Sequence, residues 1–247
     1  MKYIISTFFI FITFNYVNAQ TEIFNDNGSW FTFTNKIKVS EKFYITNVTQ
    51  QRRVNFLKNT QAFLIAPSVN YKITKNVSFG AGYMHYTYFP NGVLPSTIKK
   101  EETRFFQDLL VNSSLGNIKV NIRFRFEQRV IDLINTNVIP NIIDGNKHAN
   151  RFRYRLQATT NLMKLKNETF IMGRLSNEIR IRFGTGISEP DFDQNNFAAL
   201  LGYKLLPNST IWMGYGRYYF RKNATLYKAN NILHINLSYD FDLTKKG

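Results

Sequence analysis

Apolar and polar side chains alternate along most of the chain, and the alternation persists over long segments. Ile118, Val120, Ile122, Phe124, Phe126 and Val130 share one parity, while Lys119, Asn121, Arg123, Arg125, Glu127 and Arg129 share the other. Phe152, Tyr154, Leu156 and Ala158 alternate with Arg151, Arg153, Arg155 and Gln157. Leu175, Ile179, Ile181 and Phe183 then alternate with Arg174, Ser176, Glu178, Arg180 and Arg182. Near the C-terminus Leu233, Ile235, Leu237, Tyr239 and Phe241 face His234, Asn236, Ser238 and Asp240. A period of two puts successive side chains on opposite faces of a strand, and no helix gathers such a pattern onto one apolar face. The pattern predicts eleven clear strands, at 30–39, 43–53, 61–73, 77–88, 103–115, 118–130, 150–163, 169–183, 196–205, 210–221 and 230–243. Facing is ambiguous in 43–53 and 210–221, where both parities carry apolar residues.

Connection lengths alternate as well. Ser40-Glu41-Lys42, Thr74-Lys75-Asn76, Gly116-Asn117, 164–168 and 206–209 are short. Residues 54–60, 89–102, 131–149, 184–195 and 222–229 are longer. Tight turns at one end and long loops at the other describe a transmembrane antiparallel up-and-down β-barrel. Strands of soluble sheets typically run about 5–6 residues, and a tilted spanning strand needs about 9–11; several of these segments exceed both. Aromatic residues near strand ends, including Tyr83, Tyr86, Trp212 and Tyr218, suit interfacial girdles. Bacterial barrels have even strand numbers, so one more crossing is expected before Trp30, with Asn27-Gly28 as its hairpin turn. The expected all-β barrel therefore has twelve strands, with ten as the alternative.

The first residues add a location. Lys2, an apolar run from Ile4 to Phe14, and Val17 and Ala19 before Gln20 form a secretory signal. Residues 1–19 are read as a cleaved signal peptide and 20–247 as one barrel domain. The apolar run is too short for a spanning helix. The chain has no cysteine, which fits the bacterial outer membrane better than a secreted disulfide scaffold.

The Ile122-Arg123-Phe124-Arg125-Phe126-Glu127-Gln128-Arg129 segment, Arg151-Phe152-Arg153-Tyr154-Arg155, and the early Trp30 strand ending in Val39-Ser40-Glu41-Lys42 carry a resemblance. Across nearly the whole mature chain the sequence is similar to a family of uncharacterised outer-membrane barrels of flavobacterial-type Gram-negative bacteria, known only as a domain of unknown function. The resemblance implies the barrel and its location. It implies no activity and no catalytic residues.

Charge then identifies the interior. The 247 residues carry 32 Lys and Arg against 16 Asp and Glu, a formal net charge of +16. If the apolar parity faces lipid, Lys119, Arg123, Arg125, Arg129, Arg151, Arg153, Arg155, Arg174, Arg180 and Arg182 form a basic wall inside, with Glu127 and Glu178 among them. The opposite assignment would set arginines in lipid at about 2–4 kcal/mol each near the midplane. Arginine forks grip carboxylate and phosphate, so an anion-biased pore or binding cavity for small anionic solutes is one reading. The other is a structural barrel whose lumen is filled by these arginines paired with Glu127, Glu178, Asp108 and Asp240. The charge alternates with apolar residues instead of forming an exposed patch, so nucleic acid is not an expected partner; outer-membrane lipid is.

No enzyme is expected. A lipid-modifying hydrolase at the interface would centre on His85, yet no serine motif or carboxylate keeps a recognisable spacing from it. His148 falls in a long loop and His234 on the inward parity. No spacing suits a metal, and no glycine-rich loop suits a cofactor phosphate. Asp191-Phe192-Asp193 is read as a solvated loop. A soluble β-sandwich exported to the periplasm remains the alternative fold.

Overall fold

A computed structural model describes residues 21–55, 57–165, 169–184 and 190–244. The predicted signal peptide and its cut before Gln20 lie outside the described residues. The eleven strands among them are β1 (Glu22–Lys38), β2 (Phe43–Val54), β3 (Asn59–Lys72), β4 (Val77–Tyr88), β5 (Lys100–Leu115), β6 (Ile118–Asn135), β7 (Ile142–Lys164), β8 (Phe170–Phe183), β9 (Asp191–Leu206), β10 (Ser209–Arg221) and β11 (Leu226–Asp242). They close into a barrel in which each strand pairs with its sequence neighbours. Each strand holds one of the eleven segments expected from the alternation.

The strand number is neither twelve nor ten. Residues 22–29 are not a separate crossing but the first half of β1, which pairs in parallel with β11 from Glu22 opposite Leu226 to Lys38 opposite Asp242. Asn27 and Gly28 make no hairpin turn; Asn27 lies opposite Asn231 and Gly28 opposite Ile232. Closure leaves no open edge, and an odd count closes only if the first and last strands run the same way. Glu22 consequently lies at the loop end and Asp242 at the turn end. Side chains reinforce the seam on its outer face. Arg217 Nη1 donates to Asn231 Oδ1 (2.6 Å), Arg217 Nη2 to Asn25 Oδ1 (2.8 Å) and Asn231 Nδ2 to Asn27 Oδ1 (2.9 Å).

The loops are shorter than the alternation suggests. β6 runs on to Asn135 and β7 begins at Ile142, so most of the expected loop 131–149 is paired strand and His148 sits on β7. Likewise β11 begins at Leu226. These extensions mix apolar and polar residues without strict alternation, with Ile134, Ile142 and Ile143 beside Asn135, Asp144, Asn146 and Lys147, so the backbone keeps its ladder after the period-two signal fades. The 89–99 connection stays long, and it turns into the mouth. Phe89 N donates to Gln61 O (2.9 Å), Asn91 Nδ2 to Thr60 O (2.7 Å), Val93 N to Asp26 Oδ2 (3.1 Å), and Lys228 Nζ to Val93 O (2.6 Å). Gly92 has a φ of +94°, and a Cβ there would lie 2.9 Å from the side chains of Asp26 and Gln61. Glycine alone suits that close inward bend.

Large apolar side chains cover the outside, as with Phe105, Leu156, Leu175 and Leu201, all exposed. The inside holds charged residues and two apolar clusters. Ala62, Leu64, Ala66, Met84, Tyr86 and Phe106 come from β3 to β5, and Trp30, Ala198, Tyr218 and Ile232 from β1, β9, β10 and β11. Strand β10 resolves its ambiguous facing: Trp212 is buried inside and Met213 exposed outside. Tyr86, Trp212 and Tyr218, expected in the girdles, therefore point inward. Trp212 lies flat over Gly202, where a Cβ would come within 2.5 Å of the indole.

Candidate functional site

Strand periodicity stacks the inward residues of β5 to β9 into a belt across the middle of the barrel. Glu127, 0% exposed, accepts from Arg151 Nε (2.8 Å) and Nη2 (2.6 Å) and from Arg153 Nη1 (2.5 Å). Arg104 and Arg125 each approach it to 3.9 Å. Glu178 accepts from Arg153 Nη2 (2.7 Å), Arg180 Nε (2.8 Å) and Arg123 Nη2 (2.5 Å). Arg125 forks onto Asp108 through Nε (2.7 Å) and Nη2 (2.6 Å). Glu102 takes Arg104 Nε (2.7 Å), Arg129 Nε (2.5 Å) and the Tyr88 hydroxyl (3.1 Å).

Register explains why so many partners are needed. Arg123 lies directly opposite Arg155, Arg125 opposite Arg153, and Arg153 opposite Arg180. Like charges in such positions repel, and only carboxylates set diagonally between them relieve it. A β-bulge supplies one more. Register slips where Arg180 faces Gln194 and Ile181 faces Phe192, leaving Asp193 between them. Asp193 turns inward and accepts from Arg151 Nη1 (2.9 Å). Burying this many charges is unfavourable unless geometry and hydrogen bonding are good, and here each acid is multiply engaged.

Two cavities lie in the interior, one toward each end of the barrel, and Arg52, Tyr86, Arg104 and Arg180 line both. The loop-end cavity has a volume of about 360 Å³ and is roofed by the 89–99 loop. Lys222, Lys228 and Lys100 stand around it. Burial, with the ammonium groups of Lys228 and Lys100, lowers the pKa of Lys222 from its ordinary value. The turn-end cavity, about 520 Å³, is lined by Arg123, Arg155 and Arg174 on β6 to β8, flanked by Phe106, Met84 and Leu64 on one side and by Leu200 and Trp212 on the other. Arg174 stacks on Trp212 with its guanidinium carbon 3.6 Å from the ring centroid, and Arg52 lies 3.5 Å from that of Trp30. Arg155 donates to Asn121 Oδ1 (2.7 Å). Among the described residues no carboxylate lies within 4.0 Å of the Arg52, Arg155 or Arg174 nitrogens, and Nε of Arg155 and Arg174 is buried without an acceptor.

Of the residues singled out from sequence, Arg123, Arg125, Arg129, Arg151, Arg153 and Arg180 come together with Glu127 and Glu178 in the belt. Arg182 borders it on the loop side, 2.8 Å from Asp191. Arg155 and Arg174 belong to the turn-end cavity, and Lys119 is exposed near the turn end. Sequence reasoning missed Arg52, Arg104 and Glu102. Arg104 and Glu102 share the parity of Phe106 and Asp108, which was the available signal. Asp191 and Asp193 are not a solvated loop: they lie on β9, and Asp191 also binds Arg221. His85 faces outward with Nε2 3.7 Å from Glu101 Oε2, a carboxylate the sequence spacing did not reveal. His234 lies inside, its ring centroid 5.6 Å from Trp30 and 5.5 Å from Tyr218. No group of three or more potential metal ligands occurs among the described residues.

A family model described as "Protein of unknown function (DUF2490)" matches residues 27–230. No curated protein matches the chain.

Proposed function

We propose, from the premise that this chain belongs to the DUF2490 family of proteins of unknown function, that it is a bacterial outer-membrane barrel closed at mid-height by its own ion pairs. It serves as a structural, anion-attracting barrel and not as a freely conducting pore. One observation carries this reading: Glu127, Glu178, Glu102, Asp108 and Asp193 bind arginines from four adjacent strands into one connected lattice, and Tyr86, Arg52, Trp30 and Tyr218, packed ring against guanidinium and ring against ring, carry the filling around to the other strands. Membrane placement is supported by the apolar outer wall over a charged interior, the reverse of a soluble protein's partition. Closure supports it too, because an open edge in hydrocarbon costs several kcal/mol per unpaired backbone group. The signal segment and the absence of cysteine agree with export to that membrane. Outer-membrane lipid and small anionic solutes are the partners this reading implies.

The test is fractionation followed by planar-bilayer recording. The protein should require detergent for extraction and show a heat-modifiable shift on gels. It should give no steady current, whereas loosening the belt by Glu127→Gln should produce anion-selective openings. Recovery of the mature chain in the soluble fraction, or a stable open channel in wild type, would overturn the proposal.

A further inference from the structure

We infer that the turn-end cavity is a binding site for an amphipathic anion, a carboxylate or phosphate carrying an apolar group, with Arg155 and Arg174 as its headgroup receptors. The inference rests on the closed-lumen reading, because a closed belt makes this space a cul-de-sac that holds a solute instead of passing it.

Three features of the cavity point there together. The first is unspent charge. Glu178 and Asp108 face the cavity from the belt, but Glu178 already holds Arg123, Arg153 and Arg180, and Asp108 holds Arg125 by both oxygens. Arg155 and Arg174 lie on adjacent strands with no carboxylate within 4.0 Å among the described residues. Glu178 stands opposite Arg155 in the β7–β8 pairing but is taken up by those three arginines, and Arg155 and Arg174 each have a buried Nε donor without an acceptor. A buried donor left unmatched is costly, and an incoming oxyanion would supply an acceptor. The second feature is orientation. Stacking on Trp212 fixes the plane of the Arg174 guanidinium, so its edge donors are presented in a set direction, as bidentate anion recognition needs. The third is an apolar wall. Leu64, Met84 and Phe106 belong to a packed apolar cluster that borders the same space. A small inorganic ion would leave that wall unused. The volume of about 520 Å³ suits a small organic molecule. Toward the turn end the lining is Thr34, Thr46, Ser68 and Ser238, small hydroxyls that leave a polar entrance.

The chain contains two tryptophans, and both Trp30 and Trp212 line this cavity, so intrinsic fluorescence reports on it directly. The full-length mature protein in dodecyl maltoside would be titrated with octanoate, octanol and inorganic phosphate. Octanoate should give a saturable fluorescence change, with octanol and phosphate at least tenfold weaker. Arg155→Gln with Arg174→Gln should weaken octanoate at least tenfold and leave octanol unchanged, while Lys119→Gln should bind octanoate as wild type does. The heat-modifiable gel shift checks that the double variant is folded, and Arg174→Lys, which keeps the charge and loses the fork, provides a milder second variant with a several-fold loss. Absence of saturable octanoate binding, equal affinity for octanol or phosphate, or indifference to both sets of arginine variants would overturn the inference. Mass spectrometry of solvent extracts distinguishes sources: an anionic lipid retained by wild type and lost from the double variant identifies a lipid headgroup, and octanoate binding without a retained lipid identifies a soluble acid. A conducting wild-type barrel would instead refute the closed-lumen reading itself, which the titration does not address.

Discussion

Replacing Glu127 by glutamine should be among the most damaging single changes in the chain. The side chain keeps its size, so no cavity forms; what disappears is one charge. That charge is 0% exposed, accepts three hydrogen bonds from Arg151 and Arg153, and has Arg104 and Arg125 at 3.9 Å. Asp193 also engages Arg151, at 2.9 Å, and Glu178 engages Arg153, at 2.7 Å, so neither guanidinium is wholly abandoned. Removing one partner of a buried ion pair typically costs about 3–5 kcal/mol, because the remaining charge stays buried. With the Asp193 and Glu178 contacts retained, about 3 kcal/mol is the expected loss. Urea unfolding of the barrel in lipid vesicles, followed by the fluorescence of Trp30 and Trp212, measures it. At a slope of about 1–3 kcal/mol per molar urea the midpoint should fall by about 1 M or more. Adding Arg151→Met to Glu127→Gln should recover part of the loss, since the pair then leaves together. A loss below about 1 kcal/mol, or a double variant whose losses simply add, would mean that the belt is solvated and the lattice argument wrong.

Three further outcomes follow from the fold. In this cysteine-free chain, Asn27→Cys with Asn231→Cys should form a disulfide on oxidation, because these residues are direct partners in the parallel β1–β11 pairing and adjacent strands lie within disulfide reach; failure to cross-link would refute the eleven-strand closure. Cysteines placed at Glu22 and Asp242 should react with an impermeant maleimide from opposite faces of a vesicle, and labelling from one face would restore an even strand count. Gly202→Ala should cost about 1–3 kcal/mol by overpacking, with a shifted tryptophan emission, because its Cβ would stand 2.5 Å from the Trp212 ring; an unchanged spectrum and stability would contradict that packing.

The strands were legible because each proposed membrane crossing has two different environments, one on each face, and a period of two records that difference directly. Where both faces are wet the signal vanishes while the hydrogen-bond ladder continues. The extensions of β6 and β7 therefore look like loop, and residues 21–27, polar at Thr21, Glu22, Asn25, Asp26 and Asn27 and followed by Asn27-Gly28 as an apparent turn, look like a separate short crossing. An even count then looked compulsory. Nothing in the local pattern distinguishes a strand that begins early from an added strand; only its pairing with β11 does. Ambiguity in β10 had a different cause: glycine carries no facing signal, and Gly214 and Gly216 occupy the inward parity next to Trp212.

The basic wall was legible for the same reason as the strands, but its division of labour was not. Arg153, Arg155 and Arg174 share the inward face, yet Arg153 is locked to Glu127 and Glu178 while Arg155 and Arg174 meet no carboxylate among the described residues. Arg174 lies nearer the turn end than these acids, whereas Arg155 stands directly opposite Glu178 in the β7–β8 pairing, a carboxylate already held by Arg123, Arg153 and Arg180; which arginine an acid holds depends on register between strands far apart in sequence. Arg123 reaches Glu178 across 55 positions, and Asp193 enters only because a bulge shifts β9 by one residue. The acids engaged in the belt come from β5, β6, β8 and β9, and they gather at mid-height and toward the loop end. The turn-end half is left with cations flanked by apolar walls. That asymmetry makes the lower cavity a receptor for a compound with one acidic and one oily end, and it places the closing lattice between that receptor and the loops.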